Sequence, residues 1–412
     1  MKKERIHDKK ENDKIKWLNV IIIILLLPLI IPVGIIMLYP NIAFITSATG
    51  ILIGISLGIF LFPSTFKHLI SNKVVIFITI FFMELAVSSM INHTDDLIDN
   101  IKNYCLILLL CFAFYICRRK NAINIFFDSY SIIMSLFIAI GLITSILFPN
   151  GIGKLPYTAI DGYVSYTEVY FWGHKNYYPY QIIPYLSIIL LNKEYYSRKK
   201  ICGISYIIWT VIASTEIVLA GSSTGILAVG IFWSIYLIAK YGKKIAYALI
   251  DIRIFFGIYI VLFISIVVIG NVGGLISGIA ILLGKSSNFT GRTTIWLRAL
   301  KLIPNHFFLG YGKSTVIPSS GYYWYAHNLI LDILIQGGIV ALLIFGALLV
   351  YCFWHSSKQN IKMNAALWGW LAAFILIFLD ESIVKNALFL YLLFLMWKSE
   401  LNNKICITEG EK

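Results

Sequence analysis

The sequence predicts an all-α polytopic membrane protein with about 12 transmembrane helices and a large extracytoplasmic loop containing an amphipathic helix. Three observations predict it. Of the 412 residues, 59% are hydrophobic and 13% are charged, with a mean hydropathy of +0.82, which leaves too little polar surface to cover a water-soluble globule of this length. Apolar runs of about 20 residues recur along the chain, the length a helix needs to cross roughly 30 Å of hydrocarbon. The runs are continuous rather than alternating, and lipid offers no hydrogen-bond partners, so a helical bundle is expected and not a barrel.

Taken in order, residues 1–16, MKKERIHDKKENDKIK, are charged and are expected to form a disordered cytoplasmic tail. No small-residue cleavage site follows the first apolar run and a second run begins almost at once, so a cleavable signal is not expected. A single transmembrane domain over 17–399 follows, with spans expected at 17–39, 42–62, 74–92, 98–118, 124–148, 177–192, 201–219, 222–240, 254–274, 327–353, 361–379 and 383–399. Residues 400–412 are expected as a second cytoplasmic tail. With the N-terminus inside, 25 of the 34 Lys and Arg residues fall on the cytoplasmic side, while the short loop with Asp95, Asp96 and Asp99 falls outside. This orientation accounts for the net charge of +14 without nucleic acid: there is a basic side but no basic face. Cys105, Cys111, Cys117, Cys202, Cys352 and Cys406 show no metal-ligand spacing and none lies in an outer loop, so neither a disulfide framework nor a metal site is expected.

Two outer segments, about 149–176 and 275–326, are too long for simple turns, and their Tyr, Trp, Gly and Pro content suits ordered caps at the membrane interface. No internal repeat is evident, which counts against the commonest secondary-transporter folds. Inside the second loop, after NFTGRTT with Thr290 as the cap, Ile295, Trp296, Ala299, Leu300 and Ile303 recur at helical spacing. Arg298 and Lys301 face the other way, Pro304 ends the helix, and Arg292 sits one turn before the apolar stripe on its side. The surface cations of such a helix can simply snorkel to water. Those aimed at the stripe need another reason.

His327 opens the tenth span in YYWYAHNLILDILIQGG. A histidine in an aromatic belt can be inert, yet imidazole ordinarily titrates near neutrality and suits a general base for a hydroxyl nucleophile. At the start of the sixth span, FWGHKNYYPYQIIP gathers His174, Lys175, Asn176 and Gln181 immediately before a membrane entry, where polar groups are expensive unless solvated or used. Carboxylates expected in the outer half are Glu84, Glu216, Asp332, Asp380 and Glu381, with packing the expected role for Glu84. Asp332 follows His327 by five residues, about 140° round an ideal helix, so it is not a same-face partner.

GRTTIWLRALKLIPNHFFLGYG, followed shortly by AHNLILDILIQGGIVALLIF, resembles the signature of the O-antigen ligase and polymerase superfamily: a GR-x-x-x-W helix, a G-Y/F-G turn and an HN-x-x-L…G-G/I element bordering a large outer loop. The resemblance implies a metal-independent glycosyltransferase of the GT-C type, without cofactor, whose donor is an undecaprenyl diphosphate-linked glycan. It makes Arg292 and His327 the functional arginine and histidine, and Gly310, Tyr311 and Gly312 the turn. This chain departs from the pattern at LAGSSTGIL, where Ser222 and Ser223 stand without the usual arginine; Lys175, with His174 and Asn176, is the candidate replacement against the diphosphate. On this basis His327 and Arg292 are the expected catalytic residues, and Lys175, His174, Asn176, Arg298, Tyr311, Asn328 and Asp332 the expected substrate contacts.

The expected reaction is a single inverting displacement that extends a glycan at the bacterial cytoplasmic membrane, on its outer side. His327 takes the acceptor proton, and Arg292, with Lys175 or Arg298, neutralises the diphosphate. Membrane lipid is the surrounding partner, and a chain-length regulator and a flippase of the same pathway are possible protein partners. Ligation of finished polymer to another acceptor shares the same site, and flipping of the lipid-linked unit is the alternative from a different class.

Overall fold

The structure is a computed structural model describing residues 2–94, 96–158, 160, 163–196, 202–242, 251–269, 292–313, 315–319, 322–357, 364–380 and 387–397. Thr290, Asp95, Lys285, Lys385, Glu381, Cys406 and the 400–412 tail lie outside the described residues. The chain is an all-helical membrane protein with two short hairpins, and every one of the twelve apolar stretches is helical over most of its described length. Among the described residues, six helices are long and apolar enough to cross a membrane: Pro40–Leu61, Lys73–Ile91, Leu97–Arg119, Ile123–Leu147, Ser223–Tyr241 and Leu329–His355. Five further apolar helices among the described residues are shorter, Lys16–Ile30, Ser205–Leu219, Ile252–Val268, Ala365–Leu379 and Ala387–Trp397.

Proline explains the first of these. The run expected over 17–39 stops at Ile30 and resumes as Val33–Leu38, because Pro32 has no N–H to continue the ladder. Upstream, residues 2–16 are not the disordered tail expected from their charge: they continue the helix Lys2–Ile30. Lys and Glu are good helix formers, and adding turns to an existing helix avoids the cost of nucleation.

The chain divides into two compact units. The first comprises Met1–Val75, Cys105–Gly153 and Glu168–Ala220. In it the glycines of Pro40–Ser56 and the turn that follows recur every fourth residue and point inward: Gly50 lies against the Pro28 ring, Gly54 against Leu109 and Gly58 against Phe66. Small residues let helices approach closely where lipid supplies no hydrophobic driving force. The opposite face, with Phe44, Leu52 and Phe60, is exposed, as a lipid-facing surface must be. Glu216 is fully buried here, one carboxylate oxygen accepting the Trp172 indole N–H at 2.7 Å, with Gly141 leaving room beside it.

The second unit comprises Ile76–Tyr104, Lys154–Thr167 and Gly221–Lys412. Ser223–Tyr241 packs along Ala365–Asp380, with Gly369 pressed on the Phe232 carbonyl. Ser222 caps the first of these through its Oγ, which accepts the Gly225 N–H at 3.1 Å. An apolar cavity, partly open to its surroundings, lies among Phe255, Tyr259, Leu329, Phe345, Phe374 and Tyr391. Strands Ile317–Ser319 and Tyr322–Trp324 pair antiparallel, with Ile317 opposite Trp324.

Candidate active site

The amphipathic helix expected in the second long loop is present as Arg292–Leu302, continued by a tight turn over Ile303–His306 that holds Pro304. Its buried face is Arg292, Ile295, Trp296 and Ala299, while Leu297, Arg298 and Lys301 are exposed. This face packs into a core with Val267, Ile303, Ile317, Ala326, Leu331 and Ile335. Arg292 is only 7% exposed. A guanidinium is costly to bury without a use, and snorkelling does not describe it.

His327 directly follows Ala326 of that core and is itself buried, 8% exposed and with φ of 48°, a left-handed backbone that side-chain-bearing residues seldom adopt. The Trp296 indole N–H donates to the His327 carbonyl at 3.4 Å. Arg292 and Trp296 are four residues apart, one turn on a single face, so the bond that docks the loop helix on His327 also fixes where the buried guanidinium enters. The imidazole packs on the Tyr325 ring, centroids 4.1 Å apart, with Trp324 at 5.9 Å.

Asn328, an expected substrate contact, is fully buried and serves the backbone: its Oδ1 accepts the N–H groups of Ile330 and Leu331, and its Nδ2 donates to the Leu379 carbonyl at 3.2 Å. It is the N-cap of Leu329–Ser357. Asp332 is buried one turn further, its Oδ2 accepting the Gln336 side-chain amide at 2.8 Å. Arg298 donates to the Pro318 carbonyl and so ties the loop helix to the hairpin. Tyr311 packs on His306 and donates its hydroxyl to the Leu302 carbonyl at 2.9 Å.

The G-Y-G turn has a structural task that its sequence does not announce. Leu329–Ser357 is broken at Gly338, whose φ of 64° and ψ of −164° are not helical. In an unbroken helix the N–H groups of residues 339 and 340 would bond the carbonyls of residues 335 and 336. Here those carbonyls accept from the N–H groups of Tyr311 (2.7 Å) and Gly312 (3.0 Å), while Ile339 and Val340 donate to the carbonyls of Phe307 (2.8 Å) and Phe308 (3.2 Å). The turn fills the gap and satisfies both broken pairs, as a membrane-spanning backbone requires. Gly310 and Gly312, with φ of 66° and 95°, allow the close approach; a side chain at Gly310 would meet the Gln336 carbonyl carbon at 2.6 Å. Around this joint Ser88 donates to the carbonyls of Leu309 and Gln336, Asn92 to that of Gly310, and the Lys313 ammonium reaches Asp99 at 2.9 Å. Burial holds the Lys313 ammonium below the usual lysine range, with the Asp99 carboxylate working against that.

His174, Lys175 and Asn176 belong to the first unit. His174 precedes a single tight turn, Lys175–Tyr177, and its Nδ1 accepts the Asn176 N–H at 3.4 Å; Asn176 is buried and Lys175 exposed. Arg292 thus opens the loop helix, His327 and Asn328 directly precede the helix that holds Asp332, and all four are buried, with Arg298 on the outer face and Tyr311 in the joint. Ser88 and Asn92, and the hydrogen bond of Trp296, lie outside the sequence expectations. VSSMINHT at the end of its span carries a polar signal for Ser88 and Asn92, whereas Trp296, the tryptophan of the GR-x-x-x-W helix, gives no sign in the sequence of its bond to the His327 carbonyl.

These features define a helical membrane protein with a buried cation and an imidazole at the head of a broken helix. Residues 208–346, about a third of the chain, match the family model described as O-antigen ligase, so the likeness to the O-antigen ligase and polymerase superfamily holds over the segment that carries the loop helix, the turn and His327. Members of that family act in glycan transfer. No curated protein matches the chain.

Proposed function

We propose that this chain is a polysaccharide polymerase, transferring a growing glycan from undecaprenyl diphosphate to the non-reducing end of a lipid-linked repeat unit. A single observation carries the proposal: Arg292 is buried one turn from Trp296, whose indole N–H holds the carbonyl of His327. The acceptor hydroxyl attacks the anomeric carbon, the new C–O bond forms as the bond to the diphosphate oxygen breaks, and the configuration inverts. His327 takes the hydroxyl proton. The electron pair leaves with the diphosphate, whose charge Arg292 balances; guanidinium bonds to phosphate oxygens stabilise such a leaving group. Leu329 lines the apolar cavity two residues beyond His327, which supports a place for the polyprenyl tail. The active site would face the extracytoplasmic side of the cytoplasmic membrane, and a flippase and a chain-length regulator would act before and beside it.

The test is a deletion strain complemented with wild-type or His327→Ala protein. Wild type restores polymer, and the variant, at equal abundance in the membrane, yields none while single lipid-linked repeats accumulate. Normal polymer with His327→Ala removes the base assignment. Accumulation of full-length chains on the carrier identifies a ligase instead, and failure of the purified protein in detergent to lengthen lipid-linked glycan favours a transporter.

A further inference from the structure

We propose that Tyr325 and Trp296 are positioning residues for His327, the first fixing the plane of its imidazole and the second the peptide that carries it. The proposal rests on the assignment of His327 as the base. Its φ of 48° places a residue with a side chain in a sparsely populated backbone region, and such a conformation persists only where the surroundings over-determine it. Contacts on three sides do so. Trp296 donates to the carbonyl of His327, Asn328 caps the helix that begins directly after it, and Tyr325 lies against its ring.

The Tyr325 contact decides where the base points. Two residues along an extended strand stand roughly 6.6 Å apart, but the two rings are 4.1 Å apart with their planes inclined by 32°, so the left-handed turn folds the imidazole onto the phenol face. The second side-chain torsion of a histidine has broad wells and leaves an unrestrained ring free to aim its nitrogens over a wide arc. A ring held against one face removes most of that arc. A general base works only within hydrogen-bond reach of its proton, so the gain is in the chemical step and not in substrate affinity. Trp296 acts at the other end: it joins the peptide of His327 to the helix that carries Arg292, setting base and cation at one spacing.

The test uses purified full-length protein in detergent and, as substrate, the lipid-linked repeat units extracted from the deletion strain. Initial rates against extract concentration separate kcat from KM. Tyr325→Leu is expected to lower kcat by about 10- to 100-fold, the scale of a small misplacement of a reacting group, with KM unchanged. Tyr325→Phe, which keeps the ring, restores a rate near wild type. Trp296→Phe, which keeps bulk and loses the N–H, lowers kcat without raising KM. A wild-type kcat in Tyr325→Leu overturns the proposal, as does a rise in KM alone, which makes Tyr325 a sugar contact, or a dead Tyr325→Phe, which makes its hydroxyl the active group. Should His327→Ala remain active, the base assignment itself fails; a dead His327→Ala beside a normal Tyr325→Leu and Trp296→Phe sinks only the positioning role.

Discussion

Ser88 lies fully buried with its Oγ within hydrogen-bond reach of the carbonyls of Leu309 and Gln336. Gln336 has a second donor in the Gly312 N–H, so removing the hydroxyl falls hardest on Leu309. Ser88→Ala is expected to cost about 1–3 kcal/mol, the penalty of an unsatisfied buried acceptor, measured as a lower thermal midpoint in detergent; an unchanged midpoint would mean the carbonyl finds another donor. Single side chains of this kind divide sharply in how well the sequence announces them. Arg292 and His327 stood out because a cation on an apolar stripe and an imidazole at a span entrance are costly in lipid. Arg298 did not sort itself: its position on the polar face was consistent with snorkelling or with substrate, and the structure adds a bond to the Pro318 carbonyl. Asn328, an expected substrate contact, also caps the helix after it through its amide oxygen, and the left-handed backbone of His327 leaves no trace in the sequence, because backbone strain is imposed by packing partners and not by local composition.

Among the elements, the broken helix Leu329–Ser357 offers two glycines with opposite expectations. Gly338 has φ of 64° and ψ of −164°, a region open essentially to glycine alone, and a side chain there would run into the Phe308 carbonyl. Gly338→Ala is expected to destabilise by about 1–3 kcal/mol from backbone strain alone and to expose the Phe307–Gly312 turn to proteolysis. Gly346 sits in regular helix with nothing within 4 Å of where a Cβ would be, so Gly346→Ala should be neutral or stabilise by up to about 1 kcal/mol. Thermal unfolding of both variants is the check, and equal effects would contradict the break. The loop helix was legible to within a few residues from its apolar spacing and Pro304. The break was not, since hydrophobicity runs on through Gly337 and Gly338 and the groups that satisfy it come from residues 307–312, well before it in the chain. A span looks continuous in sequence whenever its gap is filled from elsewhere.

At the scale of the molecule, the apolar stretches were legible because the bilayer sets a common length for a span, while the first of them is cut short at Pro32. The orientation proposed from the sequence rests on charge: with twelve spans and the N-terminus inside, 25 of the 34 Lys and Arg would lie on the cytoplasmic side. It makes a prediction independent of any catalytic assignment. Tyr163, 68% exposed beside the strand 164–169, should face the outside, and Lys67, exposed in the short helix Pro63–Ile70, the cytoplasm. In a background with the native cysteines replaced, Tyr163→Cys should be labelled in intact cells by a membrane-impermeant maleimide and Lys67→Cys only after lysis. Lipid-linked glycan destined for the cell surface is polymerised where the diphosphate carrier presents it, so this geometry decides more than topology. If Lys67→Cys is the one labelled in intact cells, His327 and Arg292 face the cytoplasm, and the acceptor and donor of the proposed reaction lie on the wrong side of the bilayer to meet them.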